Sequence, residues 1–147
     1  MSASEPSDEP REIVVGISDA PTSHIAARRA VAMAKMAGAR LHFVTAVEKA
    51  TQNVVGVATD RFVIDSLDLA RESVERFVRS LDTDIAYTVT AAEGPPARAL
   101  LSVATSVNAD LIVVGNVRMQ GIGRVLGSVG NEVVHSAPCS VLIVKTV

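Results

Sequence analysis

The stretch GNVRMQGIGRVLGSVGNEV, from Gly115 to Val133, concentrates chemistry that the rest of the 147-residue chain lacks. Five of the nine glycines fall in it, at 115, 121, 123, 127 and 130. Glycines let backbone approach a ligand closely, and a helix that begins at the end of such a loop offers unpaired N–H groups to an anion. Ser128 is placed to cap that helix and to present a hydroxyl to the same anion, while Arg118 and Arg124 supply positive charge. The chemistry in view is phosphate recognition. The competing reading is a solvent-exposed glycine loop without a ligand. A second small-residue loop, Gly16-Ile17-Ser18-Asp19-Ala20-Pro21-Thr22-Ser23, follows the first apolar run and contains a carboxylate.

Other chemistries find no template. GxxxxGK[ST] is absent, which excludes a P-loop nucleotide triphosphatase. Gly121 to Gly127 has one residue too many for GxGxxG and lies late in the chain, which argues against a dinucleotide fold. No GxSxG nucleophile elbow exists, since Ser128 directly follows Gly127. His24, His42 and His135 lack metal-ligand spacing to each other or to Cys139. His42 and His135 are expected in polar structural roles, and Cys139 as a small core residue without an activating partner. No general base, nucleophile or metal pair can be named, so the chain is not expected to be an enzyme beyond, at most, weak hydrolysis of a bound ligand.

The elements that would hold these loops are visible in the periodicities. Ile13–Ile17 reads as a buried strand and Ser23–Ala37 as an alanine-rich helix closed by Gly38. Leu41–Val47 is a second strand, and residues 48–61 form a polar connection of undefined shape. Phe62–Leu81 reads as a helix with Leu67, Ala70, Val74, Phe77 and Leu81 on one face and Glu72/Arg76 and Glu75/Arg79 pairs on the other. Ile85–Thr90 is a third strand, Pro95 to about Val107 a helix, and Asp110–Gly115 an apolar fourth strand. A short helix from Ser128 to Ser136 and a last strand, Ser140–Lys145, complete the chain. This βα alternation predicts an α/β fold, an open five-stranded parallel sheet with helices on both faces. Residues 1–12, with Glu5, Asp8, Glu9 and Glu12 around two prolines, read as a flexible acidic tail ahead of one domain, 13–147. The net charge of -2 and 3% aromatic content argue against a nucleic-acid partner. No apolar run reaches the roughly 18 residues of a membrane span, so neither membrane nor export is expected, and one cysteine suits a reducing cytoplasm.

The motifs together resemble the universal stress protein family. Val14-Val15-Gly16-Ile17-Ser18-Asp19-Ala20-Pro21-Thr22-Ser23 is similar to its VVGVDGSxxS, and Ala109–Gly115 to its ADLIVVG. Gly94 precedes the third helix as in that family, and the glycine loop followed by Ala137-Pro138-Cys139-Ser140-Val141-Leu142-Ile143-Val144 is similar to its C-terminal signature. The resemblance implies a Rossmann-like sheet in the order 3-2-1-4-5 and a homodimer that pairs last strands, here Ser140 to Lys145. Members divide into ATP binders and non-binders. Binders carry G-x2-G-x9-G-[ST], onto which Gly115 and the Gly127-Ser128 pair map. Arg118 stands where the second glycine belongs, and the loop is one residue short. Ser18 stands where the family has its nucleotide-contacting aspartate, with Asp19 next to it.

The function so implied is regulatory adenine-nucleotide binding. Gly115, Gly127, Ser128 and Val129 would hold phosphates, with Arg118 beside them, Ser18 or Asp19 near the ribose, and Val44 and Ala46 against the base. ATP is the family's usual ligand, with Mg²⁺ only as its companion; cyclic AMP is preferred by some relatives with a similar loop. Ser18 and Arg118 motivate the alternative, a dimeric interaction module without nucleotide. A flavodoxin-like phosphoacceptor would need clustered carboxylates, and Asp19 stands alone.

Overall fold

A computed structural model describes residues 10–56, 61–116 and 127–146. In chain order the elements are β1 (Glu12–Gly16), α1 (Pro21–Ala37), β2 (Arg40–Val47), β3 (Gln52–Val55) and β4 (Phe62–Asp65). They continue with α2 (Ser66–Ser80), β5 (Tyr87–Glu93), α3 (Pro96–Ser106), β6 (Leu111–Gly115), α4 (Ser128–Ser136) and β7 (Ser140–Val144). Five strands form one sheet in the order β5-β2-β1-β6-β7, and all its pairings are parallel. Numbered within the sheet alone, that is the expected 3-2-1-4-5.

Parallel strands covered on both faces must be apolar throughout, which is what Ile13-Val14-Val15 and Leu111-Ile112-Val113-Val114 supply. Successive side chains alternate between faces. Ile13, Val15, Leu41, Phe43 and Val113 pack under α1 and α2. Val14, Val44, Ile112 and Val114 pack under α3 and α4. On α1, Ala26, Ala27, Ala30 and Ala34 are buried, and their small side chains let the helix lie close to the sheet. Gly38 then ends it in the left-handed conformation (φ 65°) that favours glycine.

Three expectations need correction. Phe62–Asp65 is a strand rather than the first turn of α2, and it pairs antiparallel with β3, inside the connection that had no assigned shape. Asp65 stops the strand and starts the helix: its carboxylate accepts from the backbone N–H of Leu67 (2.8 Å) and Asp68 (3.4 Å). On α2 the Glu72–Arg76 pair forms at 3.7 Å and Asp68–Arg71 at 3.2 Å. The expected Glu75–Arg79 contact is not among the ion pairs of the described residues. At the other end, β1 starts at Glu12, inside the segment read as tail. The Asp110 carboxylate accepts from the N–H of Arg11 (2.8 Å) and Glu12 (2.9 Å), which fixes that entry.

His42 is 4% exposed, and its surroundings explain how it tolerates the core. With the ring proton on Nε2, it donates to Glu12 at 3.4 Å, and Nδ1 accepts from the Thr88 hydroxyl at 2.7 Å. That is a structural role, as its strand position implied.

Candidate functional site

In an open parallel sheet the ligand crevice lies beyond the strand carboxyl ends, where the strand order reverses. Here the reversal falls between β1 and β6. A cleft of about 450 Å³ opens at that place. β1 contributes Gly16, with Ile17 and Ser18 just beyond it. β2 contributes Val44 and Ala46, and β6 contributes Val114 and Gly115. The first residues of α4, Ser128, Val129 and Gly130, face it from the far side.

The β1–α1 turn is held by serine hydroxyls. Ser18 N–H donates to Ser23 Oγ (2.8 Å), and that hydroxyl donates back to the Ser18 carbonyl (2.9 Å). Ser18 Oγ in turn accepts from the N–H of Ala20 at 3.2 Å, an ST-turn that substitutes for the carboxylate of an Asx-turn. Asp19 is turned the other way. Its carboxylate accepts from the Ser73 hydroxyl on α2 at 3.2 Å, and it lines an adjoining cleft of about 210 Å³, which shares Ile17, Ser18 and Ala46 with the first, together with His24 and Thr45. The bond to Ser73, 54 residues away, places Asp19 in this second cleft rather than on the wall of the first.

Gly127 is the N-cap of α4, so Ser128 occupies the first helical position rather than the capping one. Among the described residues no side chain caps this helix, and its first turn carries no acidic residue. Its leading N–H groups thus lack intrahelical partners and stand at the positive end of the dipole, beside the cleft. Among the sequence-derived candidates, Ser18, Val44, Ala46, Gly115, Ser128 and Val129 line one cleft, and Gly127 adjoins it. Arg118, with Gly121, Gly123 and Arg124, lies outside the described residues.

Sequence reasoning missed part of the wall. Pro96 and Leu100 enter from α3, while Thr22 and Ser23, part of the second candidate loop, enter at the first turn of α1. Gly16 is the local signal for Leu100: a Cβ there would stand 3.2 Å from Leu100 Cδ1, so the missing side chain is what admits it. A wider depression of about 660 Å³ at the opposite end of the sheet involves Arg11, Lys35, Arg40 and Asp84. Glu12 adds a second carboxylate there, and α1 ends beside it with the Ala34 carbonyl accepting from the N–H groups of Gly38 and Ala39. Cys139 is half-buried, and burial with the Asp110 carboxylate pushes its thiol above the ordinary value, consistent with an unreactive residue. Among the described residues no group of three or more His, Cys, Asp or Glu is placed to hold a metal, and no helix is long and apolar enough to cross a membrane.

A doubly covered parallel sheet with a glycine-edged crevice at its switch point defines a Rossmann-like α/β protein. Residues 10–145 match the model of the universal stress protein family, and the chain belongs to that family. A putative universal stress protein of Staphylococcus aureus (strain USA300) is 27% identical over 146 residues, covering 92% of this chain and 84% of that protein. A universal stress protein solved in complex with cAMP superposes with a TM-score of 0.72 at 28% identity, covering 95% of this chain and all (100%) of the other. UspA of Lactobacillus plantarum shares the fold, with a TM-score of 0.68 at 21% identity over 91% of this chain and 97% of its own.

Proposed function

We propose that this universal stress protein binds an adenine nucleotide in the cleft between β1 and β6 and acts as a regulator rather than a metabolic enzyme. The observation that carries this reading is that the start of α4, without a capping side chain among the described residues, opens onto the same cleft as the ends of β1, β2 and β6. The N–H groups of Ser128 and Val129 and the Ser128 hydroxyl receive the phosphate, with Gly127 and Gly115 allowing close approach. Ser18 stands beside the ribose, and Val44 and Ala46 give the base an aliphatic surface. The 28%-identical neighbour with cAMP supports adenine nucleotides as the class. Cyclic AMP and ATP, the latter with Mg²⁺ as its companion, are the two species to compare.

Titration calorimetry of the purified protein with cyclic AMP, ATP and ADP tests the proposal. Saturable heat with a matching rise in melting temperature is expected, and no heat at millimolar ligand sinks it.

A second reading, a dimeric interaction module without nucleotide, draws on Ser18, whose hydroxyl is already engaged by Ala20. Under either reading the edge of β7, outermost in the sheet, is the proposed homodimer seam. If only the Ser18→Asp, Arg118→Gly double variant binds ATP, the second reading holds.

A further inference from the structure

We infer that Asn116 and Thr146 form a clamp that positions the β6 wall of the cleft, which makes the segment after β7 part of the binding site. This rests on the nucleotide reading above. Asn116 Oδ1 accepts twice from one residue, from Thr146 N–H at 2.7 Å and from Thr146 Oγ1 at 3.0 Å. Those two bonds use both lone pairs of a neutral amide oxygen. In the same place Asn116 N–H donates to the Val144 carbonyl at 3.0 Å.

The consequence reaches the cleft through Gly115. Thr146 Cγ2 lies 3.3 Å from where a Cβ on Gly115 would stand, so Thr146 fills the space behind Gly115, a residue of the cleft wall. The β6–β7 ladder, Leu111–Gly115 against Ser140–Val144, is already complete from backbone pairing. The side-chain bonds of Asn116 lie beyond that ladder, so they are not what holds β7 in the sheet. Their effect is to fix the direction in which the chain leaves β6, immediately after Gly115. An asparagine does this without charge. An aspartate would accept the same two bonds but would set a negative charge near the place proposed for phosphate.

The test compares wild type with Asn116→Ala, Thr146→Val and Thr146→Ser by calorimetry with cyclic AMP and ATP, alongside amide hydrogen exchange. Asn116→Ala, which removes both bonds, weakens binding at least tenfold. Thr146→Val, which removes one, weakens it severalfold, and Thr146→Ser, which keeps both bonds but loses the methyl behind Gly115, weakens it less than Asn116→Ala does. Exchange at Gly115 and Asn116 quickens in Asn116→Ala, while Val14 and Val15 in β1 stay protected. Wild-type affinity in Asn116→Ala, or exchange that quickens equally in β1 and β6, overturns the clamp. If wild type binds neither nucleotide, the functional reading fails, and exchange alone decides the clamp. Unchanged Gly115 protection in Asn116→Ala refutes it, and a local loss upholds it.

Discussion

Replacing Leu100 by alanine perturbs the floor of the cleft and the core beneath α3 together. Leu100 is 2% exposed, so truncation removes a fully buried side chain and leaves a cavity. Such changes cost about 2–5 kcal/mol, and about 3 kcal/mol is expected here, because the cavity meets the cleft and can partly collapse. For a chain of this size that lowers the melting temperature by roughly 6–12 °C. Gly16→Ala acts on the same contact from below. Its Cβ would approach Leu100 Cδ1 to 3.2 Å and Cδ2 to 3.4 Å, and both atoms are ends of a flexible side chain. The overpacking is therefore mild, and the reduced freedom of the unfolded chain offsets part of it, so the single variant stays within about 1 kcal/mol of wild type. In the double variant the alanine methyl enters space that Leu100 vacated, and roughly 1 kcal/mol should be recovered relative to the sum of the singles. Urea unfolding of the four proteins measures the cycle through midpoints at constant slope. Additivity within about 0.5 kcal/mol would refute the proposed contact.

Ser128→Asp separates binding from folding. A carboxylate at the first position of α4 favours the helix dipole and should raise stability slightly, by about 0.3–1 kcal/mol, while repelling a bound phosphate; loss of nucleotide heat with an unchanged or higher melting temperature is the expected pair of results. A carboxylate that leaves nucleotide affinity intact would place the phosphate elsewhere. Asp65 makes stability depend on pH. The Gln52 amide, then the Leu67 N–H, hold its carboxyl below the ordinary 3.8, so the folded state favours the ionised form. Its contribution is full at neutral pH, fades as pH falls through about 3.8, and is gone below the lowered folded value. Asp65→Asn keeps a capping oxygen and should flatten that part of the acid-unfolding curve; an unchanged curve would show that other carboxylates set it.

Much of the fold was legible because its signals are local. The apolar strand runs, the alanine face of α1 and Gly38 after it needed only periodicity and punctuation, and α4 falls on the expected residues. The hairpin was not legible. Phe62-Val63-Ile64-Asp65 is too short for alternation to compete with the helical pattern that follows it, although Asp65 was a cap signal in plain view. The site divides along the same line. Gly115, Ser128 and Val129 were readable, because a glycine-rich loop before a helix start is a sequence pattern. The aim of Asp19 was not. It depends on Ser73, and Leu100 reaches the cleft only because α3 crosses Gly16; both facts belong to packing between distant segments.

The described wall of the cleft, from Gly16 through Gly130, carries no ionised side chain, and this constrains how it can hold an anion. Among the described residues, attraction must come from backbone N–H groups and hydroxyls, which are short-ranged and fixed in place. Dipolar contacts of that kind respond weakly to salt, whereas attraction between full charges near the surface is screened over about 10 Å at 0.1 M and about 3 Å at 1 M. Nucleotide affinity should therefore change by less than about threefold between those two salt concentrations, because local donors dominate. Arg118 and Arg124, outside the described residues, supply the alternative. If they hold the phosphate, affinity falls steeply with salt, and Arg118→Gly both weakens binding at low salt and flattens the dependence. A steep dependence that Arg118→Gly abolishes would move the anion site from the α4 start to the arginines. A shallow one that survives the substitution keeps it where the N–H groups point.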